Sequence, residues 1–309
     1  MYQVKRASRS EFVPIRNLRY HVQLWGEPTP GVAPLVLLHG WMDVAASYQF
    51  VVDALSDAFM QGRTIIAPDW RGYGRTSGAP VDNYWFADYM ADLDFLLDHY
   101  AQGQPVDLLG HSMGGHVVMC YAGVRPERIR RLVNLEGFGG AVSKPSDAPR
   151  RYAKWMNEIK KLERGELALH GYDSAAGVAR RLAKTNPRLA RDQAGLDKAH
   201  WLATHWAREN GAGKWEILGD PAHKITGAQL MRVDETLELY KRITMPLLAV
   251  EASDDSLPGW WKGTYTLGEY HERLKSVADC RIEVVPDAGH MLHHDQPERL
   301  ARLLEEFLA

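Results

Sequence analysis

Eight short runs of apolar or alternating residues recur along the chain, most of them bounded by glycine, proline or aspartate, and runs of this kind predict strands. The first two, residues 12–15 and 20–25, are separated only by residues 16–19 and predict an antiparallel hairpin. The other six, residues 36–39, 65–67, 106–109, 132–135, 247–250 and 282–285, are dense in valine, leucine and isoleucine, as parallel strands covered on both faces are. Between them lie stretches that predict helices, residues 48–59, 85–100 and 297–308, the last with Leu300, Leu303, Leu304 and Phe307 at helical spacing. The alternation predicts an α/β fold built on one eight-stranded, mostly parallel sheet with helices on both faces.

One interval breaks the alternation. Residues 143–242 offer no convincing strand pair and predict amphipathic helices, with Tyr152, Trp155, Ile159 and Leu162 on one face and Leu196, Trp201, Leu202 and Trp206 on another. The expected organisation is a core of residues 1–142 and 243–309 with a helical lid, residues 143–242, inserted after the sixth strand. That point lies over the carboxyl edge of the sheet, where ligands bind in open α/β folds. Composition adds mainly exclusions. The chain is 45% hydrophobic and 25% charged with a formal net charge of -2, so it has a large core and no basic field to recruit nucleic acid or acidic lipid. A small molecule is the expected partner. Cys120 and Cys280 have neither zinc-like nor redox spacing and read as buried thiols. Residues 1–11 are polar, and no stretch approaches bilayer length, so a cytoplasmic protein without membrane attachment is expected.

The chemistry centres on Gly110-His111-Ser112-Met113-Gly114, which lies between a predicted strand and a segment able to continue as a helix. Such a strand-turn-helix strains the backbone at its middle residue and projects that side chain from the sheet edge, so Ser112 is the candidate nucleophile. A serine hydroxyl needs a base within hydrogen-bond reach and a group to orient that base. His290, in the loop after the last strand, is the candidate base. Two carboxylates compete to orient it: Asp254, in the loop after the seventh strand, is preferred, and Glu136, at the end of the sixth, is the alternative. The backbone N–H groups of Met113 and of Trp41, in His39-Gly40-Trp41-Met42, are the candidate oxyanion donors. Trp85, Phe138, Trp155 and Met291 are candidate substrate contacts. The His290, His293 and His294 grouping lacks carboxylate or cysteine ligands at a recognisable spacing, and Gly137-Phe138-Gly139-Gly140 lacks the full dinucleotide-loop spacing, so neither a metal nor a cofactor is expected.

Taken together, His39-Gly40-Trp41, residues 69–74, residues 110–115, residues 254–258 and Gly289-His290 resemble the ordered motifs of the α/β-hydrolase superfamily over nearly the whole chain. The resemblance implies an α/β-hydrolase fold and is nearest to the lid-bearing branch that includes esterases, carbon-carbon bond hydrolases, epoxide hydrolases and haloalkane dehalogenases. In the last two the nucleophile is an aspartate, whereas this chain has Ser112, which implies ester hydrolysis through an acyl-enzyme. In haloalkane dehalogenases the acid follows either the sixth or the seventh strand, which keeps Glu136 beside Asp254. The expectation is a serine hydrolase of a carboxylic ester or similar acyl bond of a small apolar substrate. A carbon-carbon bond hydrolase, a thioesterase, or a ligand receptor on the same fold are the alternatives.

Overall fold

The computed structural model describes residues 1–309. The chain forms strands β1 (Arg9–Ile15), β2 (Leu18–Trp25), β3 (Leu35–Leu38), β4 (Ile65–Pro68), β5 (Val106–His111), β6 (Ile129–Leu135), β7 (Gly171–Tyr172), β8 (Ala207–Glu209), β9 (Trp215–Ile217), β10 (Leu247–Ala252) and β11 (Cys280–Val285). Eight of these make one sheet in the order β1-β2-β4-β3-β5-β6-β10-β11. β2 alone runs against the other seven strands, so its pairings with β1 and β4 are antiparallel and every pairing from β4 to β11 is parallel. This is the eight-stranded, mostly parallel architecture implied by the resemblance.

The period of a strand divides its side chains between two cores. Val36 and Leu38 face one side, with Leu108, Leu132 and Ala249, under the helices Phe86–Ala101 and Met113–Val124. Leu35 and Leu37 face the other, with Leu109, Val133 and Val250, under Gln49–Ala54 and Pro297–Leu308. Burial on both faces explains why these strands read as continuous apolar runs. The helix expected over residues 48–59 is broken at Leu55, and Ser56 caps a second short helix, Asp57–Met60, by accepting from the Phe59 N–H at 3.2 Å. Cys120 is buried and Cys280 half-buried, and both are free thiols. No helix is long and apolar enough to cross a membrane.

The insertion departs from the expected layout in two ways. It contains a small antiparallel sheet, β7-β9-β8, whose strands of two or three residues are too short to leave a periodic signal. The helix Val233–Tyr240, placed in the lid by the 143–242 boundary, belongs to the core instead. It packs so closely on Met113–Val124 that a Cβ on Gly123 would lie 2.3 Å from the Leu239 carbonyl, and Tyr240 is wholly buried in the main core. The insertion therefore ends before Val233.

One end of the insertion is pinned to the core through His223. Its ring is sandwiched between Tyr73, at 3.8 Å and 9°, and Tyr84, at 3.7 Å and 12°. Nε2–H donates to the Arg71 carbonyl at 3.1 Å, so Nδ1 faces the Tyr89 hydroxyl at 3.4 Å as an acceptor. Gly74 N–H to the Leu218 carbonyl and Asp220 N–H to the Gly72 carbonyl, each at 2.9 Å, complete the seam. Burial pushes His223 down to about 3. The unfolded chain, with an ordinary imidazole near 6.5, takes up the proton first, so the contribution of this seam is complete above about 6.5 and is lost as pH falls toward 3. Urea unfolding midpoints measured across that window should therefore fall with acid in the parent protein. They should fall less steeply in His223→Phe, which keeps the stack but cannot titrate.

Candidate active site

Ser112 has φ 53 and ψ −115, a backbone conformation that L-residues rarely adopt, and it sits between β5 and the helix Met113–Val124. Two glycines make the turn possible. A Cβ on Gly110 would lie 2.3 Å from the Gly114 carbonyl, and one on Gly114 would lie 2.3 Å from the Leu38 carbonyl. The Ser112 N–H donates to the Leu135 carbonyl at 2.8 Å, which fixes the turn against the end of β6. The Met113 N–H is the first of its helix and has no intrahelical carbonyl to bond, so it stands available at the positive end of the helix dipole beside Ser112.

His290 Nε2 lies 2.9 Å from Ser112 Oγ, and its Nδ1 lies 3.1 Å from Glu136 Oε2. With Nδ1–H donated to the carboxylate, Nε2 presents its lone pair to the serine hydroxyl. Glu136 is itself buried and held by two further donors, the Ala252 N–H at 2.7 Å and the Ser256 hydroxyl at 3.1 Å. Its backbone has φ 54, and its N–H bonds the Val250 carbonyl at 3.0 Å, so the chain kinks at the end of β6 and the side chain turns into the site. Gly137 N–H on the Asn134 side-chain oxygen at 3.0 Å secures that kink. Behind the ring, His111 Nε2–H donates to the His290 carbonyl at 2.7 Å, and Trp260 packs edge-on at 4.2 Å.

The structure thus brings Ser112, His290 and Glu136 together and leaves out Asp254, the acid preferred from the sequence. Asp254 N–H is bonded to the Ala288 carbonyl at 3.0 Å, while its carboxylate faces outward, 57% exposed, and pairs with Arg188 of the insertion at 2.8 Å. Arg188 holds this carboxyl below the usual range. The loop after β10 sends Ser256, not Asp254, inward, onto Glu136. Asp287 and Asp295 join Asp254 around the same insertion segment, with Arg191 on Asp287 at 2.7 Å and Asn186 on Asp295 at 2.7 Å.

A cavity of about 520 Å³ opens above Ser112 and His290. Gly40, Trp41, Met113's neighbour Ser112 and Met291 border it, and Gly40 approaches so closely that its Cβ would lie 3.1 Å from Ser112 Cβ. Three expected substrate contacts lie elsewhere. Phe138 is buried in the core edge-on to Tyr270 at 5.0 Å, Trp85 is exposed and donates to Gln229 at 3.0 Å, and Trp155 does not line the cavity. The apolar walls come instead from Met42, Leu182, Leu202, Trp206 and Trp260. Leu202 and Trp206 belong to the aromatic stripe visible in the sequence; Trp260 and Ser256 carry no periodic signal, although their nearness to Pro258 in the loop after β10 marks the right segment. His39 serves the scaffold, accepting from the Trp70 N–H at 2.9 Å.

Comparisons with known proteins agree with this architecture. A family model described as alpha/beta hydrolase fold matches residues 33–297. A serine hydrolase-like protein of Danio rerio is 27% identical, over 98% of this chain and 89% of its own length. The sn-1-specific diacylglycerol lipase ABHD11 of Mus musculus is 26% identical, over 98% of this chain and 90% of its own. Among solved structures, a thioesterase domain from the curacin biosynthetic pathway superposes with a TM-score of 0.78 at 21% identity, covering 96% of this chain and 99% of its own.

The arrangement of the two acids gives a direct expectation. Glu136→Gln removes the anion that fixes the His290 tautomer and should lower kcat by about 10⁴-fold. Asp254→Asn should leave kcat close to that of the parent. Steady-state kinetics on both folded variants at one pH separates the two residues, and the opposite ranking would return the acid to the loop after β10.

Proposed function

The chain belongs to the alpha/beta hydrolase fold family, and from that premise we propose that this hydrolase cleaves a carboxylic ester or similar acyl bond through a covalent acyl-enzyme on Ser112. The observation that carries the reading is the continuous chain of hydrogen bonds from Ser112 to His290 to Glu136, at 2.9 and 3.1 Å. In this mechanism His290 Nε2 takes the serine proton as Oγ attacks the acyl carbonyl. The Met113 and Trp41 N–H groups receive the oxyanion, and the helix starting at Met113 adds its dipole. Collapse breaks the acyl–oxygen bond, and His290 returns the proton to the departing alcohol. Water then gives a proton to His290 and attacks the acyl carbon; the acyl–Oγ bond breaks, the acid leaves, and His290 returns the proton to Ser112 Oγ. Glu136 remains ionised throughout and stabilises the imidazolium.

The cavity volume lies within the range of small-molecule sites, about 300–1,000 Å³, and its apolar walls suit an alkyl or aryl acyl group. An acyl glycerol, the class of substrate in the name of the mouse relative, is compatible with such walls. Residues from Leu169 to Lys224 form much of the cavity roof, which supports reading the insertion as a lid that sets substrate size.

Ser112→Ala should lower kcat by about 10⁴-fold or more, and a fluorophosphonate probe should label the parent stoichiometrically but not this variant. Unchanged turnover by the pure variant would eliminate the assignment. For the lid, Leu202→Ala should shift the preferred acyl chain length in a panel of esters while turnover of the shortest ester changes little. A uniform change across the panel would mark Leu202 as a packing residue only.

A further inference from the structure

Beside His290 lies a second group of polar side chains that acyl transfer does not use. Asp43 comes from the loop after β3, His111 ends β5, and His293 lies in the short helix Leu292–Asp295; all three are buried. Their metal-capable atoms lie within 4.8 Å of one another. His293 Nε2 is 3.8 Å from Asp43 Oδ2 and 3.2 Å from Ser47 Oγ, and the rings of His111 and His293 are 4.4 Å apart. The histidines after the last strand predict no metal because they lack a carboxylate at ligand spacing. The fold supplies that carboxylate, and another imidazole, from two distant parts of the chain.

The group is only partly satisfied by its own protein neighbours: Asp43 Oδ1 accepts from the Val44 N–H at 2.9 Å and His293 Nε2 lies against Ser47 Oγ. Asp43 Oδ2, His111 Nδ1 and His293 Nδ1 are all buried without a hydrogen-bond partner, whereas buried polar atoms in folded proteins are nearly always paired. A buried carboxylate also needs positive charge close by. Burial opposes ionisation of Asp43, and the interactions with His293, His294 and His39 outweigh it, holding the carboxyl at about 2. Burial, followed by the charges of His293 and His290, pushes His111 well below the ordinary imidazole range. Its Nε2–H is committed to the His290 carbonyl at 2.7 Å, which leaves Nδ1 with a free lone pair. One nitrogen donating to a carbonyl while the other stands bare is how metal-ligating histidines are oriented.

We infer that Asp43, His111 and His293 form a site for a divalent transition cation of the zinc class, and that filling it inhibits the enzyme. Two imidazoles and one carboxylate suit zinc, cobalt or nickel better than calcium or magnesium. Three protein ligands leave a fourth position for water, and Asp43 and His111 border the cavity through which a cation would arrive. With ligands at about 2.0–2.1 Å in a tetrahedron, ligand atoms stand about 3.4 Å apart, so the group, 3.8 Å apart at Asp43 and His293 and within 4.8 Å throughout, has to close by up to about 1.4 Å around a cation. Inhibition follows from position. The His111 and His290 rings are 4.8 Å apart, and positive charge on the far side of His111 opposes formation of the imidazolium that acyl transfer requires. Only this inhibitory part rests on the proposed acyl chemistry; cation binding does not.

Cobalt(II) added to the full-length protein reads the site directly through its visible absorption. The parent and Ser112→Ala should each take up one cobalt per chain, displaced by zinc, while Asp43→Asn and His293→Gln should bind about tenfold or more weakly. Zinc should inhibit ester hydrolysis by the parent, and a chelator should restore it. His293→Gln should retain basal turnover and resist zinc. Circular dichroism establishes that each variant is folded; because the two come from distant parts of the chain, either one suffices. Failure of the parent to saturate at one cobalt per chain, or undiminished binding by a folded variant of Asp43 or His293, would overturn the site. Cobalt binding by a protein without ester hydrolysis would instead leave the site standing and remove the acyl reading.

Discussion

The left-handed backbone of Ser112 is the constraint on which the site depends. A non-glycine residue in such a conformation costs about 1–3 kcal/mol and persists only where its surroundings over-determine it. Here they do: the glycines on either side let β5, β3 and the following helix close to backbone contact, and the Ser112 N–H is fixed on β6. The strain has two geometric products. It lifts the hydroxyl above the sheet edge toward His290, and it starts a helix at the next residue, so a free N–H and the positive helix end lie next to that hydroxyl.

A similar economy governs the acid. Glu136 is a second non-glycine residue with positive φ, and it too lies at a strand end with a glycine after it. Its carboxylate is buried without a neighbouring guanidinium or ammonium and relies on the Ala252 N–H, the Ser256 hydroxyl and the His290 ring. Neutral donors stabilise the carboxylate without competing for the positive charge that His290 would develop in the proposed acyl transfer. Asp254, paired with Arg188 at 2.8 Å, would face that competition from a permanent cation.

Much of this was legible in the sequence. Doubly buried strands announce themselves as apolar runs, and the strand-glycine-serine-glycine-helix pattern identifies a turn whose geometry follows from sterics alone. The choice between Glu136 and Asp254 was not legible, because both follow strands that end at the same sheet edge. It turns on one backbone dihedral and on which side chain of the loop after β10 points inward. The small sheet of the insertion and the core helix Val233–Tyr240 were hidden for different reasons: the strands are too short to show a period, and the helix has an apolar face whose partner, Met113–Val124, is more than a hundred residues away. Aromatic residues misled most as substrate contacts, since Phe138 and Trp155 are as well suited to packing as to binding.

Two of the seams that fasten the insertion to the core are of unlike physics. One is the Tyr73–His223–Tyr84 stack; the other is the meeting of Arg188 and Arg191 with Asp254, Asp287 and Asp295. Dissolved ions screen exposed charge pairs, with a Debye length of about 8 Å at 0.15 M, and barely touch a ring stack. Ionic strength therefore bears on the charged seam more than on the aromatic one. Within the charged seam itself salt weighs most on Arg191 and Asp287, both more than half exposed, and least on the buried Asp295, so the two fastenings differ in what weakens them: acid for the imidazole stack, ionic strength for the outer guanidinium pair.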